Sequence, residues 1–452
     1  MVSPIDGEKL IRDIKLSTVV PACITGEDKA HEFTDMDLAM KLHYITTVHF
    51  FGGDAAEGLS IQDLKTPMFQ WLQHYYPICG RIRRRDGDCG GGGRPFVKCN
   101  DSGVRIVEAK CDKTVAEWLA VVGGGDRHRL LVYHQRLLAR DFGFTPLVFL
   151  QLTKFKCGGL SVGMRWAHVL GDAFSASECI NTWGKIMANP KAPRQFLDAP
   201  NVIHRFDTSS PPSFCRSVKL LDPLGDNWLT PNNFKMQMHT FHITEKQINN
   251  MLSGQNKNKY NKVKPFELIS AIVWKSMAKI RGNNNNKIIT VCKKRDFDHA
   301  SLEFELSGNT HQAIGIVEAP TTSLIVESAF LEIAKMIGEK FVDETNMIAK
   351  RMEGENGNAD FLVYGSNLTF VDLEEVNLWG LKLKGKGPVF ADLSIGGVGD
   401  EGAVVVVRNG GGKIVNVILP DDQLEHLKNE LRVESKQHHF PSMTGVQIMV
   451  YP

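Results

Sequence analysis

The segment from Leu160 to Met187 restricts most strongly how this chain can fold. Apolar residues alternate from Leu160 to Trp166, as they do in a half-buried β-strand, and those from Phe174 to Met187 have the spacing of an amphipathic helix. Gly171 lies between the two and permits a tight turn. A strand that passes through a tight turn into a helix predicts an α/β domain, and such turns commonly hold catalytic side chains.

The turn itself contains His168 and Asp172, separated by three residues. In a chain of this composition, chance alone gives roughly one such pair. A second pair, His31 and Asp35, follows a polar stretch and is interpreted as a helix start, with Thr34 or Asp35 as its N-cap. His168 differs because a strand leads into it, and an imidazole with a pKa of about 6.5 suits a general base at neutral pH. From the residues alone, a catalytic and a purely structural His168 both remain open.

Length and proline content predict two domains. A chain of 452 residues exceeds the usual size of a single core. The stretch from Pro190 to Asn227 contains six prolines and little periodicity, which predicts a long crossover linker. We therefore expect an N-terminal domain of residues 1–190, a linker of residues 191–227 and a C-terminal domain of residues 228–452.

Composition argues against several classes of protein. The formal net charge of +2 gives no reason to expect nucleic-acid binding. The nine cysteines include no Cys-x-x-Cys pair, so we interpret them as reduced thiols in the cytoplasm, without a metal site. The N-terminus is polar and lacks a signal peptide, and no run of 18 apolar residues occurs, so we expect no transmembrane helix.

Five further motifs lie along the chain. They are Phe33-Thr34-Asp35-Met36-Asp37, the segment from Leu64 to Tyr76-Pro77-Ile78-Cys79-Gly80-Arg81, Cys99-Asn100-Asp101-Ser102-Gly103-Val104, the helix from Phe266 to Trp274, and Gly308-Asn309. Together with the His168 turn, they resemble the plant BAHD acyltransferases, which move acyl groups from coenzyme A to alcohols or amines. The resemblance covers nearly the whole chain. It implies an α/β fold of two chloramphenicol-acetyltransferase-like domains, each a mixed β-sheet with flanking helices, joined by a long crossover linker and with an active-site channel between them.

The resemblance also implies roles for individual residues. In the family, the motif histidine takes the proton of the acceptor as it attacks the acyl-CoA thioester, and His168 holds that place. The family's aspartate orders the loop through an arginine, which implies a structural role for Asp172 with Arg295 as its partner. Gly171 and Thr369 match positions along the channel. The resemblance implies no bound cofactor and no metal, with acyl-CoA as substrate or ligand.

The family's second signature, Asp-Phe-Gly-Trp-Gly, is absent near the C-terminus. The best alignment places Lys382-Leu383-Lys384-Gly385-Lys386 over it. In a strand, Lys382, Lys384 and Lys386 would share one face. We expect either a solvated edge strand protected from aggregation or a docking face for a partner or an anionic membrane. The similar run from Asp141 to Phe144 lies in the wrong domain and is interpreted as coincidence.

An intact His-x-x-x-Asp with a lost second signature is similar to the Eceriferum/Glossy wax branch of the family, as is Ala173 after Asp172. This similarity implies a role in cuticular wax synthesis. Proteins of the branch help to extend very-long-chain fatty acyl chains at the endoplasmic reticulum, alongside a membrane-bound condensing enzyme. We therefore expect a cytoplasmic monomer that reaches the endoplasmic reticulum surface through that partner.

Three functions remain open. The chain is an accessory protein that shifts product length without chemistry at His168, an acyl-CoA-dependent O- or N-acyltransferase with His168 as general base, or a non-catalytic module that binds acyl-CoA. The half-preserved site favours the first.

Overall fold

Two mixed β-sheets organise the chain. The computed structural model describes residues 10–85, 93–120, 128–133, 143–189, 215–253, 263–282, 286–295 and 308–437. The strands in these ranges are β1 Ile11–Val19, β2 Ala30–Glu32, β3 Tyr44–Phe51, β4 Arg81–Arg84, β5 Pro95–Lys98, β6 Val104–Cys111, β7 Val148–Phe155, β8 Leu160–Ala167, β9 Lys219–Leu220, β10 Met236–Thr244, β11 Ile288–Lys294, β12 Gln312–Glu318, β13 Val342–Asp343, β14 Phe361–Leu362, β15 Thr369–Leu373, β16 Phe390–Gly396, β17 Ala403–Asn409 and β18 Gly412–Pro420.

Helices flank both sheets. They are α1 Asp35–Ala39, α2 Gly53–Ala56, α3 Ile61–His74, α4 Val115–Leu119, α5 Ala173–Ala188, α6 Glu245–Ser253, α7 Pro265–Arg281, α8 Thr322–Glu327, α9 Phe330–Glu339, α10 Thr345–Gly354 and α11 Asp421–Gln437. The predicted strand and helix around His168 are confirmed as β8 and α5. Thr34 caps α1 by accepting a hydrogen bond from the Asp37 N–H, so the His31 pair does begin a helix as predicted.

The first sheet has the strand order β1-β6-β7-β8-β3-β16, in which only β6 and β7 run parallel. Its central strands β3, β7 and β8 are buried almost throughout. On one face, α3 packs against α5. Trp71 and Trp183 lie there with ring centroids 6.3 Å apart, and the Trp71 indole donates to the Cys179 carbonyl at 2.7 Å. This indole bond satisfies a polar group that burial would otherwise leave unpaired.

The second sheet has the order β10-β18-β17-β15-β11-β12-β13, with β17, β15 and β11 parallel. Helix α7 packs against α8, α9 and α11 to cover it. The valines of β17 are fully buried, as expected for a central strand between helices and the other half of the molecule. Mixed sheets with flanking helices in both halves confirm the predicted α/β class.

Strand β16 lies in the second half of the sequence but pairs with a strand of the first half. Its sequence lies within the predicted C-terminal domain, residues 228–452, yet it pairs antiparallel with β3 from Phe390–Phe50 to Gly396–Tyr44 and so completes the first sheet. Of the predicted linker, residues 215–227 are described, and β9 in this part pairs with β14. Residues 190–214 lie outside the described ranges. The limits 1–190, 191–227 and 228–452 stay a prediction.

A buried ion pair joins the two halves beside β14. The Lys41 ammonium lies 2.9 Å from Asp360 Oδ1, and the two side chains are 1% and 2% exposed. Asp360 also accepts the Leu224 N–H at 2.6 Å, and Lys41 donates to the Asn358 carbonyl at 3.3 Å. Burial lowers the pKa of Lys41, and the charge of Asp360 opposes that effect. The pair therefore fixes the end of the crossover segment against the first half.

Replacing Lys41 with methionine leaves the Asp360 carboxylate buried without its cation. Breaking one side of a buried ion pair costs about 3–5 kcal/mol, so we expect Lys41→Met to lower the free energy of unfolding by about that amount. Urea unfolding measures the loss. Lys335→Met, at an exposed pair with Glu339, is the matched control, because surface pairs contribute only about 0–1 kcal/mol. Equal unfolding midpoints for the two variants would contradict the role given to Lys41.

Candidate functional site

The His168 turn is built by backbone constraints. After β8, residues His168–Leu170 form one turn of 3₁₀-helix, and Gly171 has a φ of 149°. A Cβ on Gly171 would lie 2.8 Å from the Ser175 Cβ and 3.0 Å from the Gly308 carbonyl oxygen, so no other residue fits. Gly171 was predicted along the channel, and the structure shows why a glycine stands there: the backbone of the second half packs directly on it.

Asn309 ties the histidine to the opposite half of the molecule. Its side-chain amide donates to the His168 carbonyl at 2.8 Å and to Asp37 Oδ1 at 2.9 Å, and its backbone N–H donates to the same Asp37 oxygen at 2.8 Å. Burial raises the pKa of Asp37, and hydrogen bonds from Thr34 and Asn309 act against this rise. The buried carboxylate thus holds the residue that positions His168.

Asp172 performs a structural role, as its geometry indicates. It is 1% exposed and caps α5, accepting the Phe174 and Ser175 N–H groups at 3.1 Å each. Its second set of contacts is to His311, whose N–H donates at 2.9 Å and whose Nδ1 lies 3.2 Å from both carboxylate oxygens. Both sets of contacts fasten the start of α5 and leave Asp172 no contact with the His168 ring.

The structure gives Asp172 a partner in His311, and its pairing with Arg295 stays a prediction. Arg295 donates its backbone N–H to the His311 carbonyl at 2.8 Å; burial lowers the pKa of its guanidinium, and the charge of Asp343 opposes that effect. His311 and Arg295 lie opposite each other just beyond the paired ends of β11 and β12.

The contact between His311 and Asp172 predicts a pH-dependent contribution to stability. Burial acts to lower the pKa of His311, but the hydrogen bond and charge of Asp172 outweigh it, and the pKa lies above the usual 6.5. Protonated His311 therefore stabilises the fold below about pH 6.5, and this contribution is lost as the pH rises through the raised value.

We accordingly expect the difference in unfolding free energy between the wild type and His311→Gln to be larger at pH 6 than at pH 8.5. Urea unfolding across this range measures it. His426→Gln, on the exposed face of α11, is the matched control for replacing a histidine. A difference for His311→Gln that does not change with pH would show that the ion pair does not form.

The His168 side chain is enclosed and already has a partner. It is 1% exposed, and its Nε2 lies 3.0 Å from the Tyr364 hydroxyl. Burial lowers the pKa of His168 to about 4, against the charge of Asp172. The ring is therefore neutral at pH 7. In the tautomer with the proton on Nδ1, Nε2 accepts a hydrogen bond from the Tyr364 hydroxyl; in the other tautomer, Nε2 donates to the hydroxyl oxygen, and the hydroxyl donates to Gln312 Oε1.

Sequence analysis did not identify Tyr364. It lies in a turn after β14, almost two hundred residues from His168, in a segment with no periodic pattern. His43 Nε2 accepts the Val363 N–H at 3.2 Å, and the rings of His43 and Tyr364 lie 4.7 Å apart. The only sequence signal was the pair Tyr364-Gly365 shortly before Thr369, a residue that the resemblance had already marked.

Thr369 acts through this turn. It is fully buried, its hydroxyl accepts the Gly365 N–H at 3.0 Å, and it donates to the Asn367 carbonyl at 2.8 Å. The predicted channel residue thus shapes the segment that carries Tyr364.

The three lysines over the lost signature do not form a strand, so the expected edge strand is wrong, and the docking face for a partner or membrane stays a prediction. Leu383 and Lys386 exchange backbone hydrogen bonds at 2.9 Å around a two-residue turn, in which Lys384 and Gly385 have positive φ. Lys384 donates to the Glu57 carbonyl at 2.5 Å, and Lys386 lies 2.6 Å from Asp54 Oδ2. Two of the lysines therefore fasten the turn to α2, and Lys382 remains exposed.

Two searches of the described ranges gave negative results. In the part of the chain that the structure describes, no three His, Cys, Asp or Glu side chains lie close enough to hold a metal ion. Within the same ranges, none of the helices combines the length and the hydrophobicity that crossing a membrane requires.

Comparison with known proteins places the chain in a family. Residues 11–341 match the Transferase family, which covers well over half of the chain. The chain therefore belongs to this family, that of the BAHD acyltransferases.

The chain is similar over most of its length to particular members of the family. It is 36% identical to Protein ECERIFERUM 2 of Arabidopsis thaliana, over 93% of this chain and 98% of that protein. It is 35% identical to Protein ECERIFERUM 26 of the same plant, over 94% and 96%. Rosmarinate synthase of Plectranthus scutellarioides matches at 27% identity, over 60% of this chain and 62% of that protein.

Solved structures share the fold. Vinorine synthase superposes with a TM-score of 0.67 at 15% identity, covering 96% of this chain and 99% of that one. F. graminearum TRI101 complexed with coenzyme A and deoxynivalenol gives a TM-score of 0.64 at 14% identity, covering 91% and 99%. The predicted fold of two chloramphenicol-acetyltransferase-like domains is confirmed.

Proposed function

We propose that this protein acts in cuticular wax synthesis as an accessory factor, which promotes very-long-chain fatty acid elongation together with a condensing enzyme. A BAHD-like role connected with wax is supported by the relatives named Eceriferum, which match nearly the whole chain. The cooperation with a condensing enzyme is the further step that we propose.

One observation supports the accessory role: a side chain of the protein itself, Tyr364, occupies the hydrogen-bonding position at His168. For acyl transfer as in this family, His168 Nε2 would have to accept the proton of an incoming alcohol or amine. Here that atom is hydrogen-bonded to the Tyr364 hydroxyl in a buried site. A pKa of about 4 also makes His168 a weaker base than one tuned near the working pH. Both properties disfavour transfer to an external acceptor.

Acyl-CoA is the ligand that we propose for the protein. The TRI101 structures with the same fold were solved in complex with coenzyme A. The protein would then bind the acyl-CoA that the condensing enzyme uses or forms, and change the length of the product without transferring the acyl group. A module that only binds acyl-CoA would show the same binding but would not change product length.

Active acyl transfer is the second candidate, and the same contact gives it its support. A hydroxyl oxygen 3.0 Å from a neutral imidazole nitrogen has the geometry of an acceptor held by a general base. If Tyr364 yields to an external alcohol or amine, His168 becomes the catalyst.

Acyl-chain profiling in yeast that expresses a plant wax condensing enzyme separates these candidates. We expect the wild type and His168→Ala to lengthen the products equally relative to cells without this protein, because the accessory role needs no base. Immunoblotting confirms equal protein amounts. Lengthening by the wild type alone, at equal amounts, would assign chemistry to His168 and favour the acyltransferase.

We propose further that the protein is a cytoplasmic monomer that reaches the endoplasmic reticulum surface through the condensing enzyme. Expressed in yeast without that enzyme, it should therefore leave the membrane pellet after a high-salt wash, and in its presence it should remain. Retention on membranes without the enzyme would contradict location through a partner.

A further inference from the structure

We infer that Tyr364 is a specificity-determining residue, which occupies the place of an acceptor at His168 and so protects bound acyl-CoA from transfer and hydrolysis. This inference rests on the proposed binding of acyl-CoA. It assigns to one side chain the difference between a protein that holds a thioester and one that consumes it.

The contact itself is exclusive. In the tautomer that can act as a base, the proton is on Nδ1, and Nε2 has a single lone pair, which accepts one hydrogen bond. The Tyr364 hydroxyl lies 3.0 Å from this atom, and the phenol is 1% exposed. Water or an alcohol can therefore reach the base only by displacing the tyrosine.

The backbone holds the tyrosine in this position. Its carbonyl accepts the Gly399 N–H at 2.9 Å, and a Cβ on Gly365 would lie 2.4 Å from the Gly399 nitrogen. The next two residues are tied to the crossover segment, because Ser366 donates to the Ser217 carbonyl at 2.6 Å and Asn367 donates to the Arg216 carbonyl at 2.8 Å. A turn fixed on three sides keeps the phenol in place.

The surroundings of the phenol are polar enough for water. Gln312 is 5% exposed, its Oε1 accepts a hydrogen bond from the tyrosine hydroxyl at 3.5 Å, and its Nε2 has no hydrogen-bond partner among the described residues. With the tyrosine removed, Gln312 and His168 Nε2 would both face the vacated space. A buried water is stable where two to four polar groups surround it, so the truncated site would admit water beside the base.

The reaction that Tyr364 prevents is general-base hydrolysis of the thioester. The water oxygen bonds to the acyl carbon, and His168 Nε2 accepts the water proton. The bond between carbon and sulfur breaks, and the proton passes to the departing thiolate. The products are the free fatty acid and the coenzyme A thiol, so atoms and charges balance without a further reactant.

Purified full-length protein with palmitoyl-CoA tests the inference. Palmitoyl-CoA binding is measured first, and coenzyme A release is then followed with a thiol reagent. We expect Tyr364→Ala to release coenzyme A at least about ten times faster than the wild type, since general bases contribute about 10²–10⁴-fold. Tyr364→Leu is a second variant that retains apolar packing. Tyr75→Leu, at a buried tyrosine between α3 and α5, is the matched control and should leave the release rate unchanged.

A double variant identifies the base. Adding His168→Ala to Tyr364→Ala should return coenzyme A release to the wild-type rate. A gain that survives this second substitution, or binding by both Tyr364 variants without any gain, would overturn the inference. If both Tyr364 variants lose palmitoyl-CoA binding while the wild type and Tyr75→Leu still bind it, Tyr364 is a binding residue and the inference is overturned.

Two further outcomes distinguish this inference from the proposed function. Wild-type protein should keep its unmodified mass after incubation, and a gain of one palmitoyl group on Tyr364 would show that the tyrosine is itself an acceptor and contradict the inference. If neither the wild type nor any variant binds palmitoyl-CoA, the proposed ligand is wrong, and this inference fails with it. Binding without a gain refutes the inference alone.

Discussion

The site depends on the buried carboxylate of Asp37. This group accepts two hydrogen bonds from Asn309, which in turn donates to the carbonyl of His168. Gly308 lies directly against Asp37, because a Cβ there would lie 2.8 Å from its Oδ1. Through these contacts, α1 of the first half holds Gly308 and Asn309 of the second half against the turn that carries His168.

Local pattern was sufficient to predict what neighbouring residues determine. The strand, turn and helix around His168 follow from alternation, a glycine and helical spacing, and the structure has them as β8 and α5. Family resemblance implied a structural role for Asp172, but the sequence did not predict its contact with His311. That contact depends on side-chain directions at the end of a strand pair, and spacing in the sequence does not encode these.

The sequence patterns did not predict contacts between segments that lie far apart in the chain. Tyr364 meets His168 because a turn in the second half packs against His43, and no periodicity marks that turn. The lysines at 382, 384 and 386 suited a strand by spacing, but Gly385 permits a tight turn, and Asp54 and the Glu57 carbonyl hold it in place. Local alternation competes poorly with a glycine that accepts positive φ and with nearby acceptors for the lysine charges.

The position of β16 has a consequence for how the chain is made. Strand β3 emerges from the ribosome early, but the strand that covers its edge ends only at Gly396. At about 5–20 residues per second, the edge of β3 waits roughly 20–70 s for its neighbour. An uncovered edge is a template for pairing with other chains. The nascent first half therefore passes through an aggregation-prone interval, and cutting the gene between the two halves would make that interval permanent.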